Sequence, residues 1–264
     1  MDGLTTAVSL FQFAMETLSR IQLARDFEQQ FETYQLKLDI IQLRLSRWGQ
    51  VADLAALDKA EGARGPGDGE DGGPTTMSVL QDIWRLLKST GRRATSESNK
   101  QNGGDDHQGN VLDPEVCMPS DLQMLRARFT GFCRRRRVQA QKGVDALRWV
   151  FYKKEQFSDF VGDISDLVDQ LEQLLSDEGR EKLNELSQDE CKGMSKASLK
   201  DLRDIVEGCD PWLSKSIETS LESRRSGTSI HQSHNRGYTV GIHKGDNKGC
   251  LWGPNKGQIS QTFH

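Results

Sequence analysis

The side chains best suited to chemistry in this chain are its five histidines and five cysteines, and their spacing argues against most uses. His231 and His234 stand three apart, with His243, Cys250 and His264 further on. Such a set could bind zinc, but the stretch is glycine-rich and lacks the paired cysteines of a structural zinc site. We expect neither a metal nor a cofactor. Cys117, Cys133, Cys191, Cys209 and Cys250 are odd in number, widely spaced and without a C-x-x-C pair, which speaks against a disulfide framework and for a reducing, intracellular setting. No G-x-S-x-G, H-E-x-x-H, Walker A or Rossmann pattern occurs, so no catalytic residue is assigned and the expectation is a non-enzyme. The run Arg134 to Arg137, with Arg126 and Arg128 before it, could meet acidic lipid headgroups or nucleic acid, or simply form a solvated helix face. Four consecutive residues span a whole helical turn, so at least one of these arginines must neighbour the core and need a carboxylate partner.

The other unusual spacing lies at the end of the chain. Gly237, Gly241, Gly245, Gly249, Gly253 and Gly257 fall four apart, which no stable soluble helix tolerates at roughly 1 kcal/mol lost per glycine. Inside this ladder Asn235-Arg236-Gly237-x-x-x-Gly241-x-x-Lys244-Gly245 returns twelve residues later as Asn247-Lys248-Gly249-x-x-x-Gly253-x-x-Lys256-Gly257. Asparagine and glycine reach positive φ cheaply, so Asn235, Asn247 and Asn255, each two residues before a glycine, mark tight turns. Val240, Ile242, Leu251, Trp252, Ile259 and Phe263 lie between or beyond those turns. Two stacked rungs of strand, turn and strand would align the asparagines and bury the apolar side chains, as in cross-β assembly. One copy is too short to stand alone, and other chains would supply the missing edges. A featureless glycine-rich tail is the plainer alternative. A nucleic-acid tail has the charges but only Tyr238, Trp252 and Phe263 as stacking groups, and the acidic body makes it a poor partner for nucleic acid.

The elements before this tail read as helices. Leu4, Val8, Phe11, Met15 and Leu18 recur at helical spacing while Leu10 and Phe13 make the opposite side apolar, so the first helix should be central and buried. Gly3 to Met15 is uncharged, but Glu16 and Arg20 end the run well short of the roughly 20 apolar residues that span a bilayer. Phe27, Phe31, Tyr34, Leu38, Ile41, Leu45 and Trp48 alternate steps of four and three, predicting one long helix from about Arg25 to Ala56 with a coiled-coil-type seam. Val79, Leu80, Ile83, Leu86 and Leu87 predict a short helix between two flexible loops, 61–76 and 95–110. Ser120 is the expected N-cap of a helix beginning Leu122, Leu125, Phe129 and Phe132, which Val144, Leu147, Val150 and Phe151 continue or restart. Phe157, Val161, Ile164, Val168, Leu171 and Leu175 form a five-turn apolar stripe. Ser187 and Glu190 have capping-box spacing ahead of a last clear helix with Leu199, Leu202, Ile205 and Val206, stopped by Gly208 and Pro211.

The expectation is an all-α bundle of seven to nine helices over residues 1–223, followed by an amyloid-competent tail over 224–264. Charge follows the same division: the tail holds six Lys or Arg against one Asp or Glu, so the net −4 joins a −9 body to a +5 appendage. The N-terminus lacks a basic start and a small-residue cleavage site, and Gly3 stands one position too late for myristoylation, so no export or lipid signal is expected.

The segment Tyr34-Gln-Leu-Lys-Leu-Asp-Ile-Ile-Gln-Leu-Arg-Leu-Ser-Arg-Trp-Gly49 closely resembles the second-helix signature of the HeLo-domain family of fungal heterokaryon-incompatibility prion proteins, most specifically at Leu38-Asp39 and at Arg44 to Gly49. Val161 to Leu175, and Ser198-Leu-Lys-Asp-Leu through Asp210-Pro211, look like later helices of that domain. The resemblance implies a helical domain followed by a prion-forming segment that a matching tail on a nucleotide-binding receptor templates into amyloid. Strain on the helical domain then releases its N-terminal helix into a membrane, where it oligomerises. On this chain the released segment is about Gly3 to Leu23, with Leu4, Val8, Leu10, Phe11, Phe13, Met15 and Leu18 as its apolar contacts, and the trigger is Asn235 to Phe263. The implied partners are further copies of the chain, that receptor and membrane lipid. The implied locations are the cytoplasm at rest and the plasma membrane when active. The implied function is a cell-death effector, with a non-toxic adaptor or inhibitor of a toxic relative as the alternative. The tail is shorter in repeat and richer in glycine than the longer prion segment known in the family, and is more similar to other short fungal amyloid-signalling motifs.

Overall fold

The computed structural model describes residues 6–54, 56–58, 74–101, 111–136 and 146–226. Residues 1–218 form one compact unit and 219–264 a second, whose described part is the end of a helix.

Helix α1, Ala7–Leu18, starts where the Thr6 hydroxyl accepts from the Ser9 amide at 3.1 Å and the Ser9 hydroxyl accepts in return from the Thr6 amide at 3.2 Å, a reciprocal cap. The chain then runs extended through β1, Gln22–Leu23, and makes a short 3₁₀ turn, Arg25–Phe27. Helix α2, Phe31–Val51, follows only after Gln30 adopts a left-handed conformation with φ of 66°. The single helix expected from Arg25 to Ala56 is therefore divided and shorter. The cause is tertiary: β1 pairs in parallel with β2, Val150–Phe151, and the Ala24 amide donates to the Phe151 carbonyl at 3.0 Å, which holds this stretch out of helix. By the same pairing Val150 and Phe151 are strand, not the helix expected there, and a two-residue strand is too short for any alternation to show.

Helix α3, Thr76–Gln101, is much longer than the short helix expected, and absorbs the first part of the supposed loop 95–110. Its start is set by a reciprocal Thr75–Ser78 cap, and no Gly or Pro occurs between Arg92 and Gln101 to stop it. After α4, Pro114–Cys117, capped by the Asp113 side chain, helix α5 runs Ser120–Arg135. Pro119 takes its N-cap position and Ser120 lies just inside. Helix α6, Lys154–Gln173, carries the expected stripe, with Phe157, Val161, Ile164, Val168 and Leu171 buried. Helices α7, Asp177–Cys191, and α8, Lys196–Val206, are capped by Ser176 and Ser195. The expected box at Ser187 and Glu190 is not a cap: both lie inside α7, fully buried, and Ser187 bonds the Ser216 hydroxyl at 2.6 Å. Gly208, at φ of 74°, turns the chain into α9, Pro211–Ser226, a helix beyond the one expected to be last. Eight helices of eleven or more residues among those described make the domain the expected all-α bundle.

Helix α2 is its axis. Leu36, Leu38, Ile40, Ile41, Leu43, Leu45 and Trp48 are buried on every side of it, and α1, α4, α5, α6, α7 and α8 all pack against it. The expected one-sided seam is thus the visible subset of a fully enclosed helix. Where α2, β2 and α6 meet, Phe27, Tyr34, Phe151 and Phe157 interlock edge to face at centroid distances of 5.1 to 5.7 Å.

Candidate functional site

Of the apolar residues assigned to the N-terminal segment, Leu10, Phe11, Phe13 and Leu18 are buried, Val8 and Met15 are half-buried, and Leu4 lies outside the described residues. Helix α1 rests on α2 and α3. Its fit to α2 turns on one glycine. The Phe11 ring lies across Gly49 so closely that a Cβ there would stand 2.3 Å from Phe11 Cζ, and the same ring meets Trp48 with centroids 6.0 Å apart. Trp48 is itself fixed by its indole N–H donating to the Leu171 carbonyl at 3.0 Å. Gly49 is therefore a slot rather than a turn residue, and the Trp-Gly pair closing the signature segment is the socket for Phe11.

Hydrogen bonds to its neighbours also tie α1 in place. The Ala7 amide donates to the Asp58 carboxylate at 2.5 Å, where a helix N-terminus favours an anion. The Gln42 side-chain amide donates to the Met15 carbonyl at 3.0 Å, and the Leu147 backbone amide to the Thr17 hydroxyl at 3.3 Å.

The far half of α2 is fastened differently. Arg44 grips Glu172 through two bonds, Nε at 3.0 Å and Nη2 at 2.6 Å, donates to the Cys209 carbonyl at 3.0 Å and pairs with Asp169. Arg47, fully enclosed, holds Glu190 at 2.5 Å and spans both oxygens of Asp210 at 3.1 and 2.8 Å. Burial works against a charge on Arg47, but Asp210 and Glu190 outweigh it and hold its pKa above the ordinary arginine value. Asp210 also accepts from the Leu213 amide at 3.0 Å, capping α9, and the Trp212 indole donates to Glu172 at 3.1 Å. Spacing along the sequence does not reveal these roles of Arg44 and Arg47. Two arginines three apart in the apolar stretch from Ile40 to Trp48 are a visible oddity, but their acids come from α6, α7 and the start of α9.

The arginine run behaves as its spacing required. Arg134 and Arg135 are exposed, while the Arg136 side chain is enclosed and pairs with Glu190. Arg126 pairs with Asp39 at 3.1 Å; Arg137 lies outside the described residues. Burial pushes Asp39 up to about 6, against the pull of Arg126. Cys133 and Cys191 are buried and their thiols pushed up to about 11 and about 12, so neither is an activated nucleophile. The repeat positions from Asn235 to Phe263, and the histidine and Cys250 set among them, lie outside the described residues.

An all-α bundle built on an enclosed, charge-fastened axial helix, with an apolar first helix seated in a glycine socket, defines a class of helical-bundle domain. The model of the HeLo family, described as prion-inhibition and propagation, matches residues 3–205, and the chain belongs to that family. It is 26% identical over 222 residues to heterokaryon incompatibility protein s of Podospora anserina, covering 84% of this chain and 73% of that protein. It is 25% identical over 231 residues to heterokaryon incompatibility protein S of the same fungus, with the same coverages. The solved HET-s N-terminal domain superposes with a TM-score of 0.68 at 23% identity over 84% of this chain and 99% of that one. A mutant of that domain superposes at 0.63 and 24%, over 82% and 98%.

Proposed function

We propose that this chain is a cell-death effector of the heterokaryon-incompatibility type, in which assembly of the tail into amyloid frees α1 and its flanks to permeabilise a membrane. One observation carries this reading: the bundle is fastened unequally. Helix α2 is tied to α6, α7 and the start of α9 by enclosed guanidinium–carboxylate bonds, whereas α1, the most apolar of the long helices, is seated by apolar contact and by hydrogen bonds such as Ala7 to Asp58 and Gln42 to Met15. A load on the domain parts it first at α1. The family is one of incompatibility proteins rather than enzymes, and this mechanism needs no catalytic step and no cofactor. Its partners are further copies of the chain, a nucleotide-binding receptor with a matching Gly/Asn motif, and membrane lipid. The resting chain is cytoplasmic and the activated one sits at the plasma membrane.

The test is dye release from vesicles on adding preformed fibrils of the 225–264 peptide to the full chain. The native chain should release dye. Phe11→Lys should assemble on the fibrils but release little, and equal release from both would refute a role for α1.

A second reading, a non-toxic adaptor that co-assembles with a toxic relative, is favoured by the length of α1. Its twelve residues span about 18 Å against roughly 30 Å of bilayer hydrocarbon, and no helix among the described residues is long and apolar enough to cross a membrane. Fibril binding with no release from the native chain selects that reading.

A further inference from the structure

Between α1, the N-terminal half of α2 and α5 lies a cavity of about 920 Å³ whose wall charge is opposite to that of the body. Arg20, Arg126, Arg134, Arg136 and Arg148 line it, against two carboxylates, Glu16 and Asp39. In a body of net −9 this is a local excess of three positive charges, its arginines gathered from three separate stretches of chain. Two of the five are spoken for, Arg136 by Glu190 and Arg126 by Asp39. The other three are exposed at the rim and hold donors in reserve. Arg20 gives one N–H to the Ala146 carbonyl at 3.2 Å and reaches Glu16 only at 3.9 Å; Arg148 gives its Nε to Gln22 at 3.0 Å; Arg134 has no acid partner among the described residues. A guanidinium carries five N–H donors in a planar fork that fits phosphate oxygens two at a time.

We propose that this cavity is a binding site for a clustered-phosphate group, the chemistry shared by a phosphoinositide headgroup and a soluble inositol polyphosphate. Helix α1 supplies Met15, Glu16 and Leu18 to the wall and is followed directly by Arg20, so an anion seated here bridges α1 to α5. It binds the closed bundle and not one from which α1 has left. By linkage it stabilises the closed state and opposes release. The site is a property of the resting bundle and is read without any leakage assay, so it stands or falls apart from the effector reading.

The experiment is thermal unfolding and isothermal titration of the full chain with inositol hexakisphosphate, with sodium sulfate at matched ionic strength as the control. We expect inositol hexakisphosphate to raise the midpoint where sulfate does not. The double variant Arg134→Ser/Arg148→Ser should keep the unliganded midpoint and weaken binding roughly tenfold or more, for two lost charge-assisted contacts. Arg92→Ser, an exposed arginine on α3 outside the cavity, should change nothing, and Asp39→Asn, which removes an acid from the wall, should tighten binding several-fold. Flotation with phosphatidylcholine vesicles, with and without phosphatidylinositol bisphosphate, separates the sources. Binding to both the soluble ligand and the charged vesicles assigns a headgroup, and binding to the soluble ligand alone assigns a soluble polyphosphate. No midpoint shift, or a shift unaltered in the double variant, overturns the proposal.

Discussion

At the scale of single residues, three positions carry measurable consequences. Arg47 balances two fully buried acids, and removing it strands Asp210 away from water and leaves Glu190 with Arg136 alone. Arg47→Met should cost on the order of 3–5 kcal/mol in urea unfolding of the full chain. Arg47→Lys should recover little of it, because an ammonium cannot span Glu190 and Asp210 as the planar fork does. Gly49→Ala drives a methyl into the Phe11 ring and should cost about 1–3 kcal/mol. In a Phe11→Ala background that cost should nearly vanish, and a double-mutant cycle without coupling would disprove the socket. Asp39 gives an unusual pH dependence. Its folded-state value of about 6 lies above the ordinary 3.8, so folding favours the neutral acid. The stability this contributes is present below about pH 4 and is lost as pH rises through about 6, at most about 3 kcal/mol across the window. A carboxylate held below its ordinary value does the reverse. The denaturation midpoint of Asp39→Asn should lack this downward slope between pH 4 and 6, measured against the native chain.

At the scale of elements, the contrast between α1 and α2 predicts a gradient of local stability. Amides of Leu10 to Leu18 should exchange with solvent through a low-energy opening that leaves Leu38 to Trp48 protected, whereas equal protection would mean that α1 leaves only with global unfolding. How far such elements could be read from sequence depended on how many of their faces meet water. Helix α6 was legible because Asp and Glu fill its outer face and leave one clear stripe from Phe157 to Leu171. Helix α2 shows only a seam in its sequence because an enclosed helix has no solvated face to contrast with its buried one. The break before Phe31 was illegible because Gln30 is no habitual left-handed residue; pairing of β1 with a strand more than a hundred residues away imposes it. Ser187 and Glu190 had a cap's spacing and a core's environment, and spacing cannot tell the two apart. At the site, the apolar residues of α1 and the need for a buried arginine in the run were both visible. The slot at Gly49 and the acids of Arg44 and Arg47 were not, since each is set by a helix distant in sequence.

At the scale of the whole molecule, the proposed switch joins a −9 body to a +5 tail, and what passes between them is tested best by breaking one at a time. The tail's information lies in its twelve-residue period, not in its composition. A full chain with residues 235–263 scrambled keeps the same glycines, asparagines and charges, and keeps the bundle. If the repeat templates assembly, fibrils of the native 225–264 peptide should seed the native chain and leave the scrambled one soluble, as read by sedimentation and thioflavin fluorescence. Should the scrambled chain seed equally well, glycine-rich stickiness rather than a matched rung is at work. Gly49→Ala supplies the complementary break, since it loosens α1 while leaving the tail intact. Under the effector reading, Gly49→Ala should therefore need fewer seeds than the native chain to release vesicle dye, and the scrambled tail should release none whatever the state of its socket. A chain whose leakage follows the socket but ignores the tail would be a membrane-active bundle without a trigger, and one that assembles without leakage in either state would be the adaptor.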